Sequence, residues 1–151
     1  MTTVVSPVDG EVLALADVPD PVFAAQMVGA GVAVRPAASQ QRVEVRSPIA
    51  GKILKLHPHA FVVFTAEKQG VLVHVGIDTV KMRGEGFELL AAEGDSVHAG
   101  DPILQYDPAA IAAAGYSDIV PVVVMDTAPD SVNAKSVGLN VVVGDSLFEL
   151  P

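Results

Sequence analysis

Two short phrases occur twice in this chain, in the same order. SPVDGEVLAL from Ser6 returns as SPIAGKILKL from Ser47, and GDPILQY from Gly100 returns as GDSLFEL from Gly144. The offsets, 41 and 44 residues, are close to each other. A duplicated motif of this kind closes on itself, because one copy cannot cover both faces of its own strands. Valine-rich runs of four to seven residues fill the space between the repeats, and 13 glycines and 11 prolines break the chain about every ten residues. That is the rhythm of short strands and tight turns. We therefore expect an all-β fold, a compact β-sandwich or barrel built from a duplicated motif, with residues 1–151 as one domain. Such a length suffices for a core without covalent staples.

Two short helical turns interrupt the strands. At Asp20-Pro21 and Asp107-Pro108 an aspartate can cap the first turn while proline takes the first helical position, where no amide hydrogen is needed. PVFAAQMVG should stop at Gly29 and PAAIAAAG at Gly115. RVEVRSP reads as a strand with one wet face, and IVPVVVM (119–125) and LNVVV (139–143) as late strands. Pro121 argues for an edge or a bulge in the first of these.

Charge and composition narrow the function. The formal charge is -9 and there is no cysteine. The first argues against nucleic acid or an anionic membrane as partner, since both require a basic surface. The second removes disulfides, thiolate metal sites and cysteine nucleophiles, and suits a reducing cytoplasm. No stretch of eighteen apolar residues offers a membrane span, and MTTVVSPVDG has no signal-peptide pattern. The expected compartment is the cytoplasm.

Chemistry concentrates between Leu56 and Phe87. LHPHAF carries His57 and His59; VLVHVGIDTVKMRGEGF carries His74, Gly76 and Asp78. AFVVF and VLVHV can pair as a hairpin across the polar turn 65–70. If facing positions sum to an odd number, His59 and His74 share a face, and at 133 they are direct partners with Cβ atoms about 4.5 to 5.5 Å apart. A neutral imidazole is a good nitrogen nucleophile because its ordinary pKa is about 6.5. One ring nitrogen can attack while a backbone carbonyl holds the other and fixes its aim. A second imidazole can donate to the oxygens of a group in transfer. His98, in a polar turn, reads as surface.

SPVDGEV, DVPDPVFA, SPIAGKI, PHAF, HVGIDTV, GEGF, EGD and GDPI, in this order from Ser6 to Asp126, resemble the glucose-family enzyme IIA of the bacterial phosphoenolpyruvate-dependent sugar phosphotransferase system. The resemblance implies a phosphocarrier that accepts a phosphoryl group from HPr and hands it to a sugar-specific IIB domain, with no cofactor required. It makes His74 the phosphoacceptor and His59 the neighbouring histidine needed for transfer. Asp20, Val22 and Phe23 match the rim on which partners dock, and Asp78 the acid beside the site. IIB of the family type uses a cysteine, so it must lie on another chain, as must the membrane component. Transporters or kinases are expected as regulatory partners, and a zinc ion on His59 and His74 could be shared with a partner's ligand. His57 stands where relatives resembling one another carry threonine, and reads as an exposed rim residue. The rival reading is a zinc-dependent hydrolase using His57, His59, His74 and Asp78.

Overall fold

The computed structural model describes residues 2–151. Thirteen strands run through them: β1 (Thr3–Val5), β2 (Gly10–Ala14), β3 (Gly29–Pro36), β4 (Val43–Arg46), β5 (Gly51–His57), β6 (Ala60–Phe64), β7 (Gly70–His74), β8 (Phe87–Leu89), β9 (Ser96–Val97), β10 (Pro102–Tyr106), β11 (Val120–Met125), β12 (Asn140–Val141) and β13 (Ser146–Glu149). Two short helices, α1 (Pro21–Ala24) and α2 (Pro108–Ala114), complete the set, with single 3-10 turns at Leu15–Asp17 and Thr79–Met82. The β-rich fold expected from the short valine runs is therefore present.

One eight-stranded antiparallel sheet has the order β12-β2-β3-β11-β7-β6-β5-β9. β1 pairs with β13, and β4 and β8 flank β10. The order reads as a mirror about the junction of β11 and β7. β2 and β5 hold the two SP repeats' strands at matching places, and their outer neighbours β12 and β9 sit 44 residues apart, the offset of the GD repeat. Duplication in the chain has become two-fold pseudosymmetry in the sheet.

The repeats are also interlaced. Ser6 N–H donates to the Asp145 carbonyl at 2.8 Å, and Ser47 N–H to the Asp101 carbonyl at 2.8 Å, so each SP turn meets the GD turn of the other copy. The two SP turns then bond each other reciprocally, Val5 N–H to Pro48 O (2.8 Å) and Arg46 N–H to Pro7 O (3.0 Å). Inside each turn a fully buried serine hydroxyl donates to a carbonyl two residues on: Ser6 to Val8 at 2.6 Å, Ser47 to Ile49 at 2.7 Å. A buried hydroxyl needs such a partner, and both copies solve the problem identically.

The main core fills the concave side, where Val12, Val32, Val34, Val63, Val71, Val73, Val122 and Val124 meet Val4, Ile49, Ile103 and Phe148. A second cluster covers the opposite face of the central strands. It joins Ala33 and Val123 of the sheet to Leu15, Val18 and Phe23, which lie on the long β2–β3 connection, and to Ile77 and Ile119. This connection is what sets up the site.

Three expectations are corrected. Pro121 lies in β11, a central strand, opposite Ala33 of β3. The ladder from β11 to β7 covers only Val122 to Val124, so the proline stands at the strand's beginning, before that pairing starts, and breaks none of it. The first helix ends at Ala24, with Ala25 as its C-cap, and not at Gly29, which is extended in β3. Gln26 takes the left-handed conformation (φ 57°) instead, held there by two bonds to Asp130. The strand expected over 139–143 shrinks to Asn140–Val141. Gly115 does close α2, at φ 81°.

Candidate functional site

β6 and β7 form the expected hairpin, but in another register. Ala60 stands opposite His74, a sum of 134, so the facing positions are even and His59 is not the direct partner of His74. A five-residue turn cannot specify the register, and the side chains of both strands decided it. His59 nevertheless reaches His74. It lies outside β6, in the two-residue turn Pro58-His59 that closes β5 onto β6, and strand alternation does not govern it. Its carbonyl accepts from Val75 N–H at 2.7 Å, tying the turn to the end of β7. The rings of His59 and His74 meet edge to face with centroids 5.1 Å apart.

The loop after β7 fixes the aim of His74. Nδ1 lies 2.6 Å from the carbonyl oxygen of Gly76. A carbonyl only accepts, so Nδ1 carries the proton and Nε2 keeps its lone pair. The loop itself is sewn down: Ile77 N–H donates to Ser117 O at 2.9 Å, and the buried Thr79 hydroxyl donates to Val75 O. Gly76 sits at φ 79°, and a Cβ there would come within 2.5 Å of Thr79 Cγ2. Only glycine holds that carbonyl in place without strain.

No hydrogen-bond partner for Nε2 of His74 occurs among the described residues, and the only side-chain nitrogen or oxygen there that is both buried and unpartnered is Glu149 Oε2. Nε2 is therefore open to solvent. Burial of the ring lowers its pKa below the ordinary 6.5, while the Gly76 carbonyl, Asp20 and Asp78 pull the other way and do not win. His59 is pushed down to about 4, first by burial and then by the neighbouring His74 and His57 rings. Both imidazoles are neutral at pH 7. In the folded state they bind fewer protons than in the unfolded chain below pH 6.5, so they subtract stability as the pH falls through that value, and His59 goes on doing so to about pH 4.

The first repeat supplies the wall. Phe23 packs against His74 with centroids 5.3 Å apart. Asp20 caps α1, accepting from Val22 N–H at 2.8 Å and Phe23 N–H at 3.3 Å, with Pro21 at the first helical position. The rim expected of Val22 and Phe23 divides: Val22 is 43% exposed, but Phe23 only 7% and belongs to the second apolar cluster. Asp78 is exposed, left-handed at φ 62°, and its side chain caps nothing. Exposed Val80, at 57%, follows two residues later in the 3-10 turn, and nothing in the sequence marked it.

The hydrolase arrangement is absent. Among the described residues no group of three or more histidine, aspartate or glutamate side chains converges to hold a metal ion. His57 and His59 stack face to face, at 5.9 Å and 26°, instead of aiming at a common point. A surface cavity of about 860 Å³, lined by Lys52, Leu54, Phe64, Glu93 and His98 among others, includes none of His57, His59, His74, Asp20 or Asp78.

The family model for the phosphoenolpyruvate-dependent sugar phosphotransferase system, EIIA 1, matches residues 2–129. The chain is 42% identical over 127 residues to a PTS system glucose-specific EIIA component of Oceanobacillus iheyensis, covering 83% of this chain and 74% of that protein. It is 39% identical over 146 residues to a protein of the same description from Bacillus anthracis, covering 95% and 86%. The solved structure of glucose permease IIA from Mycoplasma capricolum superposes with a TM-score of 0.86 at 30% identity, over 97% of this chain and 93% of that one. β12 and β13 lie beyond the matched 2–129, yet they pair with β2 and β1.

Proposed function

Because the chain belongs to the EIIA 1 family of the phosphoenolpyruvate-dependent sugar phosphotransferase system, and so is a phosphocarrier of sugar uptake, we propose that Nε2 of His74 is the atom that carries the phosphoryl group. The observation behind this is the bond from His74 Nδ1 to Gly76 O. It leaves Nε2 with a bare lone pair, so attack on phosphorus requires no base. The Nε2–P bond forms as the bond from phosphorus to its leaving group on HPr breaks, and that electron pair stays with HPr. Nδ1 keeps its proton and its hold on Gly76 throughout. In delivery the pair returns to Nε2 and the phosphoryl group passes to the cysteine of a IIB domain on another chain.

His59 supports the transfer. Its ring is adjacent, neutral and without a hydrogen-bond partner among the described residues, so it can donate to the phosphoryl oxygens as their charge redistributes. Phosphoryl transfer depends mostly on positioning and charge stabilisation, which these two rings provide. Partners dock around them on Val22 and the edge of Phe23, with Asp20 and Asp78 facing basic residues of HPr or IIB. The same surface serves regulatory partners in the unphosphorylated state, and the two imidazoles can share a zinc ion with a partner's carboxylate. We assign glucose as the sugar class from the names of the relatives, and a cytoplasmic location from the partners. Residues 1–151 act as one IIA domain. Among the described residues no helix is long and apolar enough to cross a membrane.

The test is incubation with phosphoenolpyruvate, enzyme I and HPr, followed by intact mass. One acid-labile phosphoryl adduct is expected on the native chain and none on His74→Gln. An adduct on the variant would place the phosphoryl group elsewhere.

A further inference from the structure

His57 stands in the same row of the sheet as His74. The β6–β7 register sets Ala60 opposite His74, and the β5–β6 register sets His57 opposite Ala60. Residues directly opposite one another across antiparallel strands point to one face. His57, Ala60 and His74 therefore share a face, with the small alanine between the two imidazoles. His59 rises from the turn beside this row and contacts a ring on each side: it meets His74 edge to face at 5.1 Å and stacks on His57 at 5.9 Å and 26°.

No hydrogen bond holds the ring of His59 among the described residues. Its backbone is well fixed, by the proline before it, by the bond from Val75, and by the close approach of the loop at Gly84. There a Cβ would come within 3.3 Å of Pro58 Cγ, at φ 85°. The side-chain torsions are another matter. Nothing polar restrains them, and a ring free to turn presents its donor only part of the time. Stacking on the exposed His57 ring, at 5.9 Å and 26°, is a contact that limits rotation.

We propose that His57 is a positioning residue for phosphoryl transfer, stacking on His59 so that His59 presents its donor toward the group on Nε2 of His74. This rests on the roles of His74 and His59 proposed above. His57 touches no reacting atom; it acts through His59. A flat ring is what the task requires, and charge is not.

The experiment compares His57→Ala and His57→Phe with the native protein. His57 is exposed, and neither change should alter thermal unfolding appreciably. Ring-proton resonances of His59 report the stack without any phosphoryl chemistry. In His57→Ala they should lose the ring-current displacement, and in His57→Phe they should retain one. Delivery from the phosphorylated protein to IIB should slow about threefold to tenfold in His57→Ala, seen in kcat with KM unchanged, and return to near the native rate in His57→Phe. A His57→Ala protein that delivers at the native rate, His59 resonances indifferent to residue 57, or a His57→Phe protein as slow as His57→Ala would each overturn the proposal. A native protein that accepts no phosphoryl group overturns the reading of His74 itself, and the resonances tell that failure apart from a missing stack.

Discussion

The two copies of the repeat begin alike and then do different things. β2 and β5 occupy matching positions in the sheet, and each is followed by a strand that pairs back onto it. In the second copy the return takes two residues, Pro58 and His59. In the first it spans residues 15–28, a 3-10 turn and α1, and folds across the outer face of the central strands. The short return leaves the end of the hairpin open and puts an imidazole there. The long one covers the neighbouring surface and places Phe23 against His74. Symmetry builds the sheet, and the difference between the two returns makes the site. Chemistry should therefore be concentrated in the second copy, and stability of the outer face in the first.

That division can be broken by substitution. His59→Gln removes an imidazole from the second copy and keeps a donor of similar reach. Acceptance from HPr should survive in part, while delivery to IIB should fall by about a hundredfold or more, because the amide donor is not held where the imidazole's is and the transition state loses a well-placed donor. Single-turnover transfer with labelled phosphoenolpyruvate measures both steps, and thermal unfolding should hardly move. Phe23→Ala should show the converse emphasis. Truncating a buried phenylalanine costs about 3 kcal/mol, at the lower end for such changes because the cluster it leaves is small. Denaturant unfolding should register that loss, and phosphorylation should slow as well, since His74 loses one wall.

A smaller effect sharpens the symmetric side of the comparison. Ser6→Ala and Ser47→Ala each remove a buried hydroxyl from the same bond in equivalent turns. Each should lower stability by about 1 to 2 kcal/mol, and the two values should agree within about 0.5 kcal/mol, because the environments repeat. Unequal losses in paired denaturant titrations would show that the copies have diverged in their turns as well as in their returns.

Much of the symmetric part is legible in the sequence, since SP and GD turns are local devices with local causes. The aspartate caps are legible for the same reason: Asp20 and Asp107 each bond the amides just after them. Register is not. The sum of 134 that places Ala60 opposite His74 follows from how two faces of AFVVF are buried at once, and no short turn encodes it. Nor does sequence order reveal that each SP turn pairs with the other copy's GD turn, or that Pro121 sits near the start of a central strand, where the ladder to β7 has not yet begun. His74, His59 and Gly76 could be named from the run they lie in. The particular carbonyl that sets the tautomer, and the burial of Phe23 behind the ring, come from long-range packing.

In the proposed transfer, Gly76 O selects the reactive nitrogen of His74. Long-range proton–nitrogen correlation spectra of the phosphorylated, nitrogen-15-labelled protein read it directly, because phosphorus couples to the ring nitrogen that bears it. Phosphorus is expected on Nε2 of His74, with Nδ1 still protonated and still bonded to Gly76. Phosphorus on Nδ1, or on His59, would contradict it.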